Sequence, residues 1–505
     1  MIHPLVRKYL PTVLLLLVLL FATGMATYRL TESPMTGYDE GILVQMAKNF
    51  SERGAFVLQI QPDVFASGAY MSTAYPILAP VGVAMRLFGP TLLTARGTMV
   101  IFLLAFLFFF HLASRRVFGK RNALMATALM ATHASFYVYG KPVMGEIPGL
   151  MYVALFLIGL ERLSRQPKRY WLTLVLTAAA LGLAAVTKPI FLLALPAAAI
   201  TLLIYRKKLP VSFATVGAVA AIIIACFLAW FATQFFATDD AAKILLFYRN
   251  PYLTQDVGSL VIANIKRFFT EATPLYMVGL LIIWVVSYVA RIRDARRSAQ
   301  ALTSVISAVE TFCLAFVLLI LAAYVRTPGF YRYFFLANVF ILLPLPFAIQ
   351  DLVTRVLRRV PSLKTGMTSR YAAVFIWGIL LMVQGYRLFF GSYITTTYAS
   401  TQTAELEQYF GHDFEPERRV YLYDVPEIMP FLPTKNYSQW MELSGGGGFQ
   451  MGIPLHEALS AKPDAIIVHE HRYNEELDHF PGYHQAAFVV RYVVLEPDTV
   501  TSTSR

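Results

Sequence analysis

The chain has 505 residues, of which 57% are hydrophobic and only 14% are charged. This composition excludes an ordinary water-soluble globular protein, in which about a quarter of the residues are charged, and predicts a polytopic membrane protein. The net charge of +13 does not indicate a nucleic-acid partner, because the basic residues fall in short clusters between apolar runs.

Apolar runs of spanning length predict an all-α membrane domain of about eleven helices. The first run, at residues 9–28, follows Arg7 and Lys8. Cleaved signal peptides share this pattern, but the length of the run favours a retained first span. The other runs lie at about 92–113, 123–138, 147–160, 171–186, 190–205, 211–236, 274–290, 305–325, 333–349 and 371–390.

Basic clusters lie in alternate loops between the predicted spans, near residues 115–121, 162–169, 206–208, 291–297 and 355–364. The positive-inside rule makes these loops cytoplasmic, with the N-terminus inside and the C-terminus outside. The opposite loops hold most of the candidate functional residues. They lie at 29–90, 140–148, 187–189, 238–273 and 326–332. We therefore expect those residues to meet on the extracytoplasmic side.

The first extracytoplasmic loop, residues 29–90, contains two adjacent carboxylates, Asp39 and Glu40. Apolar residues with helical spacing over 42–50 predict an amphipathic helix along the membrane interface. The acids precede this helix, at the end where backbone N–H groups favour negative charge. Their position alone leaves a catalytic acid and a helix cap equally open. After a turn at 72–76, a second short helix is expected to lead to Arg86.

Polar and charged residues return from about residue 395, which predicts a small extracytoplasmic α/β domain over 393–505 after a membrane domain over 1–392. Strands are expected at 419–423, 464–469 and 487–495, and helices at 405–410 and 455–460. The glycines at 445–448 lack the setting of a phosphate-binding loop, and the histidine spacing matches no known metal site.

Four motifs of the membrane part together resemble a known group. They are Asp39-Glu40, Gly145-Glu146 and Thr187-Lys188 in successive outer loops, and Arg332-Tyr333 before a Pro-containing span. In order and side they resemble the GT-C superfamily of integral-membrane glycosyltransferases, and most closely its dolichyl-phosphate-mannose protein mannosyltransferase and aminoarabinose transferase branch. The chain departs from that branch at Glu146, where many members have Asp, and at Pro189, where Gly is frequent.

The resemblance implies an inverting glycosyltransferase that moves a sugar from a polyprenyl-phosphate lipid to an acceptor hydroxyl outside the membrane. A sugar on a phosphate already has a good leaving group, so its departure needs cations more than a proton donor. The acceptor hydroxyl is the poorer partner and needs a carboxylate base. The implied partners are the lipid donor, membrane lipids and a protein, glycan or lipid acceptor, with no nucleic acid.

The resemblance makes Asp39 the base, while Glu40 orients the helix or bonds the acceptor. Glu146 would position the acceptor or tune Asp39, and a salt bridge with Lys141 is its alternative role. The donor phosphate would be bound by Lys188, Arg332, Tyr333, Arg326 and Lys141. Weaker candidates are Arg249, Lys266 and Arg267 for the phosphate and Tyr248, Tyr252 and Phe268 for a lipid groove. No cofactor is predicted, although Asp39 and Glu146 are able to hold a divalent cation.

A transporter or flippase is the competing class, because such proteins also place charges near breaks in membrane helices. The run of spans shows no internal repeat, and the outer carboxylates lie in loops rather than in the middle of a span. A sensor or assembly protein is a third class, but it leaves the convergent outer charges unexplained. Both features favour the enzyme.

Overall fold

The computed structural model describes residues 4–165, 168–209, 212–235, 242, 244, 257–327, 331–359, 366–391, 401–443 and 449–498. Most of the described chain is helical, and a small sheet follows in its last hundred residues. The predicted domain boundary at residues 392 and 393 lies outside the described residues.

The described residues of the membrane part lie mainly in α-helices. In chain order they are α1 (Pro4–Thr27), α2 (Tyr38–Arg53), α3 (Tyr75–Phe88), α4 (Leu92–Phe118), α5 (Lys120–Ala131), α6 (Ala134–Val138), α7 (Glu146–Ser164), α8 (Tyr170–Thr187), α9 (Ala194–Tyr205), α10 (Phe213–Gln234), α11 (Val257–Thr270), α12 (Ala272–Arg297), α13 (Leu302–Val305), α14 (Ala308–Tyr324), α15 (Tyr331–Leu342), α16 (Leu345–Leu357) and α17 (Gly366–Phe390).

Seven of the described helices are long and apolar enough to cross a membrane. An eighth span forms if α15 and α16, which meet at a bend of 49°, are counted as one. The bend falls at Pro344, which has no backbone N–H to continue the helical ladder. The predicted spans at 123–138, 190–205 and 305–325 correspond to shorter or broken helices, so the number eleven stays a prediction.

The loop over 29–90 is folded, and its helix α2 packs against protein on two sides. Helix α2 forms as predicted and ends at Gly54, which adopts a left-handed conformation with φ of 76°. Residues 40–47 of α2 are buried, so its predicted position along the membrane interface is wrong. Packing of α2 between α3 and the C-terminal domain explains this burial. A hairpin of β1 (Val57–Gln61) and β2 (Val64–Ser67) follows, which the sequence analysis missed although Pro62-Asp63 is a typical turn pair.

The C-terminal domain contains a mixed six-stranded sheet in the order β5-β4-β3-β6-β8-β7. Its strands are β3 (Val420–Tyr423), β4 (Tyr437–Glu442), β5 (Gln450–Gly452), β6 (Ala465–His469), β7 (Tyr483–Val489) and β8 (Tyr492–Pro497), and its helices are α18 (Gln402–Leu406), α19 (Leu455–Ser460) and α20 (Glu470–Glu475). Strand β3 runs parallel to both β4 and β6, and the outer pairs are antiparallel. The predicted small α/β domain is therefore present.

The strand predicted at 487–495 is wrong in one respect, because the chain turns back within it. Strands β7 and β8 pair through Val489 and Tyr492, and Val490 takes a left-handed φ of 62° between them. The run 487–495 is apolar apart from Arg491 and contains no Gly, Pro, Asn or Asp, so the sequence gives no signal of the turn. The predicted helix at 455–460 is confirmed. The one predicted at 405–410 begins within α18 and continues as a π-helix over Glu407–Asp413.

The C-terminal domain packs directly on the loop over 29–90. The Tyr38 hydroxyl, at the start of α2, donates a hydrogen bond of 2.8 Å to Oδ1 of Asp424. The Gln59 amide on β1 donates to the backbone oxygens of Lys435 at 2.9 Å and Tyr437 at 3.0 Å. These contacts join the domain to the segment that carries Asp39.

Substitution of Gly41 tests this packing. A Cβ atom at Gly41 would lie 2.5 Å from Cα and 2.6 Å from the backbone nitrogen of Glu427, which are main-chain atoms that cannot rotate away. We expect Gly41→Ala to cost about 1–3 kcal/mol and to loosen the C-terminal domain, measured by thermal unfolding and by limited proteolysis between the domains. Gly97→Ala is the control, because nothing lies within 4 Å of the added atom. Equal behaviour of the two variants would contradict the packing.

Candidate functional site

Four helix ends bring the predicted charged residues together. Asp39 is the second residue of α2, Glu146 the first of α7, and Arg332 the second of α15. Lys188 directly follows the last residue of α8. Residues separated widely in the chain therefore form one cluster, which we call the charge cluster: Asp39, Glu146, Lys188 and Arg332.

The first ion pair of the charge cluster joins Asp39 to Arg332. The Arg332 guanidinium donates from Nη1 to Oδ2 of Asp39 and lies 5.3 Å from the ring centre of Tyr333. The Asp39 side chain keeps 45% of its surface exposed and that of Arg332 keeps 21%. This pair is therefore open to a ligand. The N-cap residue of α2 is Gly37, and no side-chain hydrogen bond caps this end of the helix. The helix-cap alternative for Asp39 and Glu40 is therefore wrong.

The second ion pair joins Glu146 to Lys188, with 2.6 Å between Oε1 and Nζ. Only 1% of the Glu146 side chain and 8% of the Lys188 side chain is exposed. The other oxygen of Glu146, Oε2, is buried and has no hydrogen-bond partner among the described residues. The alternative salt bridge with Lys141 is wrong, because Lys188 takes that place.

Local sequence explains how Lys188 reaches Glu146. Pro189 disfavours a helical conformation for the residue before it, and Lys188 is extended with φ of −159° and ψ of 143°. Helix α8 therefore stops at Thr187. Gly145 provides room, since a Cβ there would lie 3.0 Å from Cδ and 3.1 Å from Cβ of Lys188.

The two ion pairs interact with each other. Partial burial alone would raise the pKa of Asp39, but the positive charges of Arg332 and Lys188 outweigh it and lower the pKa below the ordinary value. Glu146 likewise interacts electrostatically with Arg332. The charge cluster is thus electrically balanced, with two carboxylates against two cations.

Glu40 has a different environment from Asp39. Its carboxylate is fully buried and accepts two hydrogen bonds from Arg96 on α4, at 2.8 and 2.7 Å. The backbone N–H of Val143 also donates to it at 3.1 Å, and Arg96 donates to the carbonyl oxygens of Leu30 and Thr31. Glu40 therefore orients α2 and the loop before α7, and an acceptor cannot contact it without displacing Arg96.

Two further predicted phosphate ligands have different surroundings from the charge cluster. Lys141 is fully buried and donates to the carbonyl oxygen of Tyr28 at 2.8 Å. Burial and the nearby Arg96 lower the pKa of Lys141 to about 7. Arg326 is exposed in the turn after α14. The structure thus places Tyr333 beside Arg332, whereas Lys141 is bonded to the Tyr28 carbonyl.

The weaker candidates are distributed differently. Arg249, Tyr248 and Tyr252 lie outside the described residues. Arg267 forms an ion pair with Glu271, the residue before α12, 3.3 Å apart. Phe268 is partly buried and packs on the rings of Tyr324 and Phe334, and a lipid groove there stays a prediction.

The sequence analysis missed Arg96 and the cavity beside the charge cluster. Arg96 is a charged residue inside an apolar run, which is itself a signal of an ion pair or a functional site. The cavity has a volume of about 340 Å³ and is lined by Tyr331, Tyr139, Arg387 and His133 among others. His133 is buried, and its Nε2 has no hydrogen-bond partner among the described residues. The spacing of these four residues in the chain follows no helical period, so the sequence does not indicate that they line one cavity.

No metal site follows from the side-chain arrangement. In the part of the chain that the structure describes, no three His, Cys, Asp or Glu side chains are grouped so that they could hold a metal ion. Metal independence stays a prediction.

Comparisons with known proteins agree on the architecture. The family described as dolichyl-phosphate-mannose-protein mannosyltransferase matches residues 79–230. The structure of ArnT from Cupriavidus metallidurans bound to undecaprenyl phosphate is similar with a TM-score of 0.56 and 14% identity, over 98% of each chain. The membrane part has the GT-C fold. No individual curated protein matches by sequence.

Two more solved structures share this GT-C fold. The apo state of the same ArnT has a TM-score of 0.58 and 14% identity, over 96% of this chain and 97% of that one. The Archaeoglobus fulgidus oligosaccharyltransferase tethered with an acceptor peptide has a TM-score of 0.57 and 10% identity, over 94% of this chain and 71% of that one. The resemblance inferred from the four motifs is confirmed at the level of the fold.

Breaking the Glu40–Arg96 pair tests whether it supports the charge cluster. Glu40→Gln leaves the Arg96 charge buried without its acid, and we expect a loss of about 3–5 kcal/mol in the free energy of unfolding. Asp63→Asn is the control, because the Arg53–Asp63 pair is exposed and is worth at most about 1 kcal/mol. Chemical unfolding in detergent measures both variants. Equal losses would mean that the buried pair is not a principal support.

Proposed function

We propose that the chain is an inverting glycosyltransferase that transfers a sugar from a polyprenyl-phosphate donor to an acceptor hydroxyl on the extracytoplasmic side. The observation that carries the proposal is the charge cluster, in which a half-exposed carboxylate lies beside two cations at one end of the bundle. The family matched over 79–230 and the ArnT structure bound to undecaprenyl phosphate support the class of donor. The transferred sugar in this proposal is a hexose or a pentose.

In the proposed reaction, the acceptor oxygen attacks the anomeric carbon from the face opposite the phosphate. A bond forms between that oxygen and the carbon, the bond from the carbon to the phosphate oxygen breaks, and polyprenyl phosphate leaves with the electron pair. The acceptor proton passes to a carboxylate oxygen of Asp39. Configuration at the anomeric carbon is inverted because the attack is a single displacement.

The resting ion pairs couple donor binding to base strength. Arg332 and Lys188 hold the pKa of Asp39 low in the free protein, so its carboxylate is then a weak base. A donor phosphate would compete with Asp39 and Glu146 for these two cations. As they turn toward the phosphate, the pKa of Asp39 rises and its carboxylate becomes the stronger base. The base would therefore become effective when the leaving group is in place.

Glu146 and the cavity beside Tyr331 have supporting roles in this proposal. The buried Oε2 of Glu146 is available to accept a hydrogen bond from an acceptor or a sugar hydroxyl. The sugar would lie in the cavity, whose tyrosine rings and polar side chains suit a ring with several hydroxyl groups. Tyr331 directly precedes Arg332, so a sugar there would have its phosphate near the charge cluster.

Asp39→Asn separates the enzyme from its alternatives. The amide keeps the size of the side chain but is a far weaker base, so we expect transfer to fall at least about 100-fold while donor binding remains. Purified protein would be supplied with a panel of polyprenyl-phosphate-linked pentoses and hexoses, and release of polyprenyl phosphate would be followed. Asp63→Asn, in the same loop and 93% exposed, is the matched control.

A folded Asp39→Asn variant with normal transfer would refute Asp39 as the base. Movement of intact donor across the bilayer without bond cleavage would instead favour a flippase. The anomeric configuration of the product, read by NMR, tests inversion independently of Asp39.

The pH dependence gives a separate test of the ion pair. Asp39 must be ionised to accept a proton, and its pKa lies below the ordinary value of about 3.9. We therefore expect kcat/KM of the wild type to show no acid limb from Asp39 above that pH. Arg332→Gln removes the larger of the two cationic effects, so the acid limb should move to higher pH. Coincident limbs in the two proteins would mean that Arg332 does not control this pKa.

A further inference from the structure

A large basic cavity lies at the other end of the membrane domain from the charge cluster. It has a volume of about 1090 Å³ and opens between the ends of α4, α7 and α8. Glu146 begins α7 and Arg162 lies in its last turn, so the two sites are about 24 Å apart along the helix axis. This cavity has no part in the proposed transfer.

Positive charge dominates the lining of this basic cavity. Five of its lining residues are arginines: Arg115, Arg116, Arg162, Arg165 and Arg169. The only lining carboxylate among the described residues is Glu161, which pairs with Arg165 and, at 3.4 Å, with Arg116. Within the described chain, no acid forms an ion pair with the other three arginines. The cavity is therefore suited to an anion with several oxygen atoms.

The remaining wall of the basic cavity is apolar and reaches the lipid-facing surface. Leu172 and Leu176 line it, and 51% and 61% of their surfaces are exposed on the outside of the helix bundle. Leu112, Leu155 and Ile158 add to the apolar side. A soluble phosphate would leave this wall uncovered, whereas a lipid would place its acyl chains there.

We propose that the basic cavity binds the headgroup of an anionic phospholipid from the leaflet opposite Asp39. The arginines contact the phosphate, and the acyl chains lie on Leu172 and Leu176. The positive-inside rule assigns this end to the cytoplasmic leaflet, where anionic lipids and juxtamembrane basic residues attract each other. The inference does not depend on the proposed glycosyl transfer.

Native mass spectrometry of the full chain in detergent tests the proposal, with phosphatidylglycerol and phosphatidylcholine as probes. We expect the double variant Arg162→Gln/Arg169→Gln to weaken phosphatidylglycerol binding about 30-fold, which is about fivefold for each basic residue lost. Phosphatidylglycerol should also raise the unfolding temperature of the wild type but not that of the variant. Binding of phosphatidylcholine should be unchanged.

The matched control is Arg206→Gln/Lys207→Gln, which removes two exposed charges from another basic loop that does not line the cavity. An equal loss in this control would overturn the proposal, because only the general surface field would then attract lipid. Glycerol phosphate binding as tightly as the lipid would also overturn it in favour of a soluble anion.

The conservative variant Arg162→Lys/Arg169→Lys guards against a folding defect. It keeps the charge but loses the forked donors, so weaker phosphatidylglycerol binding with normal unfolding behaviour would support a built site. Suppose that this variant binds phosphatidylglycerol normally and that Arg206→Gln/Lys207→Gln loses as much binding as Arg162→Gln/Arg169→Gln. The cavity would then be part of a diffuse positive surface, and the proposed site would be refuted.

Discussion

The buried contact between Glu40 and Arg96 is the constraint on which the position of the charge cluster depends. Two full charges inside protein are tolerated only when geometry and hydrogen bonds compensate their lost hydration. Here both carboxylate oxygens contact the guanidinium, and Arg96 also satisfies two carbonyl oxygens of the segment after α1. The contact therefore fixes α2 on α4 and sets where its neighbour Asp39 lies.

Asp39 and Glu40 are adjacent in sequence but have opposite physical roles because their environments differ. The buried Glu40 is committed to one partner, whereas Asp39 keeps nearly half of its surface exposed beside Arg332. The charge cluster is neutral as a whole, which makes it stable without a ligand. The same balance makes the cluster sensitive to an anionic ligand, because the ligand would compete with the two carboxylates for the two cations.

The C-terminal domain packs against the start of α2, close to the charge cluster. Its turn at 426–431 approaches α2 so closely that only glycine fits at position 41. Tyr38 binds Asp424 one residue before Asp39, which links the sheet domain to the geometry of the charge cluster. The opposite end of α7 carries the basic cavity, so the two ends of one helix bundle serve different anions in our proposals.

The sequence alone determined the class of protein, most helices and the order of Asp39, Glu146, Lys188 and Arg332 on one side. Hydrophobic runs and alternating basic loops carry this information, because apolar side chains favour lipid, charged side chains favour water, and basic loops favour one side of the membrane. Only the tertiary structure decided that Glu146 pairs with Lys188 rather than Lys141, and that Arg96 binds Glu40. An ion pair forms where the fold brings two opposite charges to within about 3 Å of each other. These residues are far apart in the chain, so no local sequence pattern predicts which of them will meet.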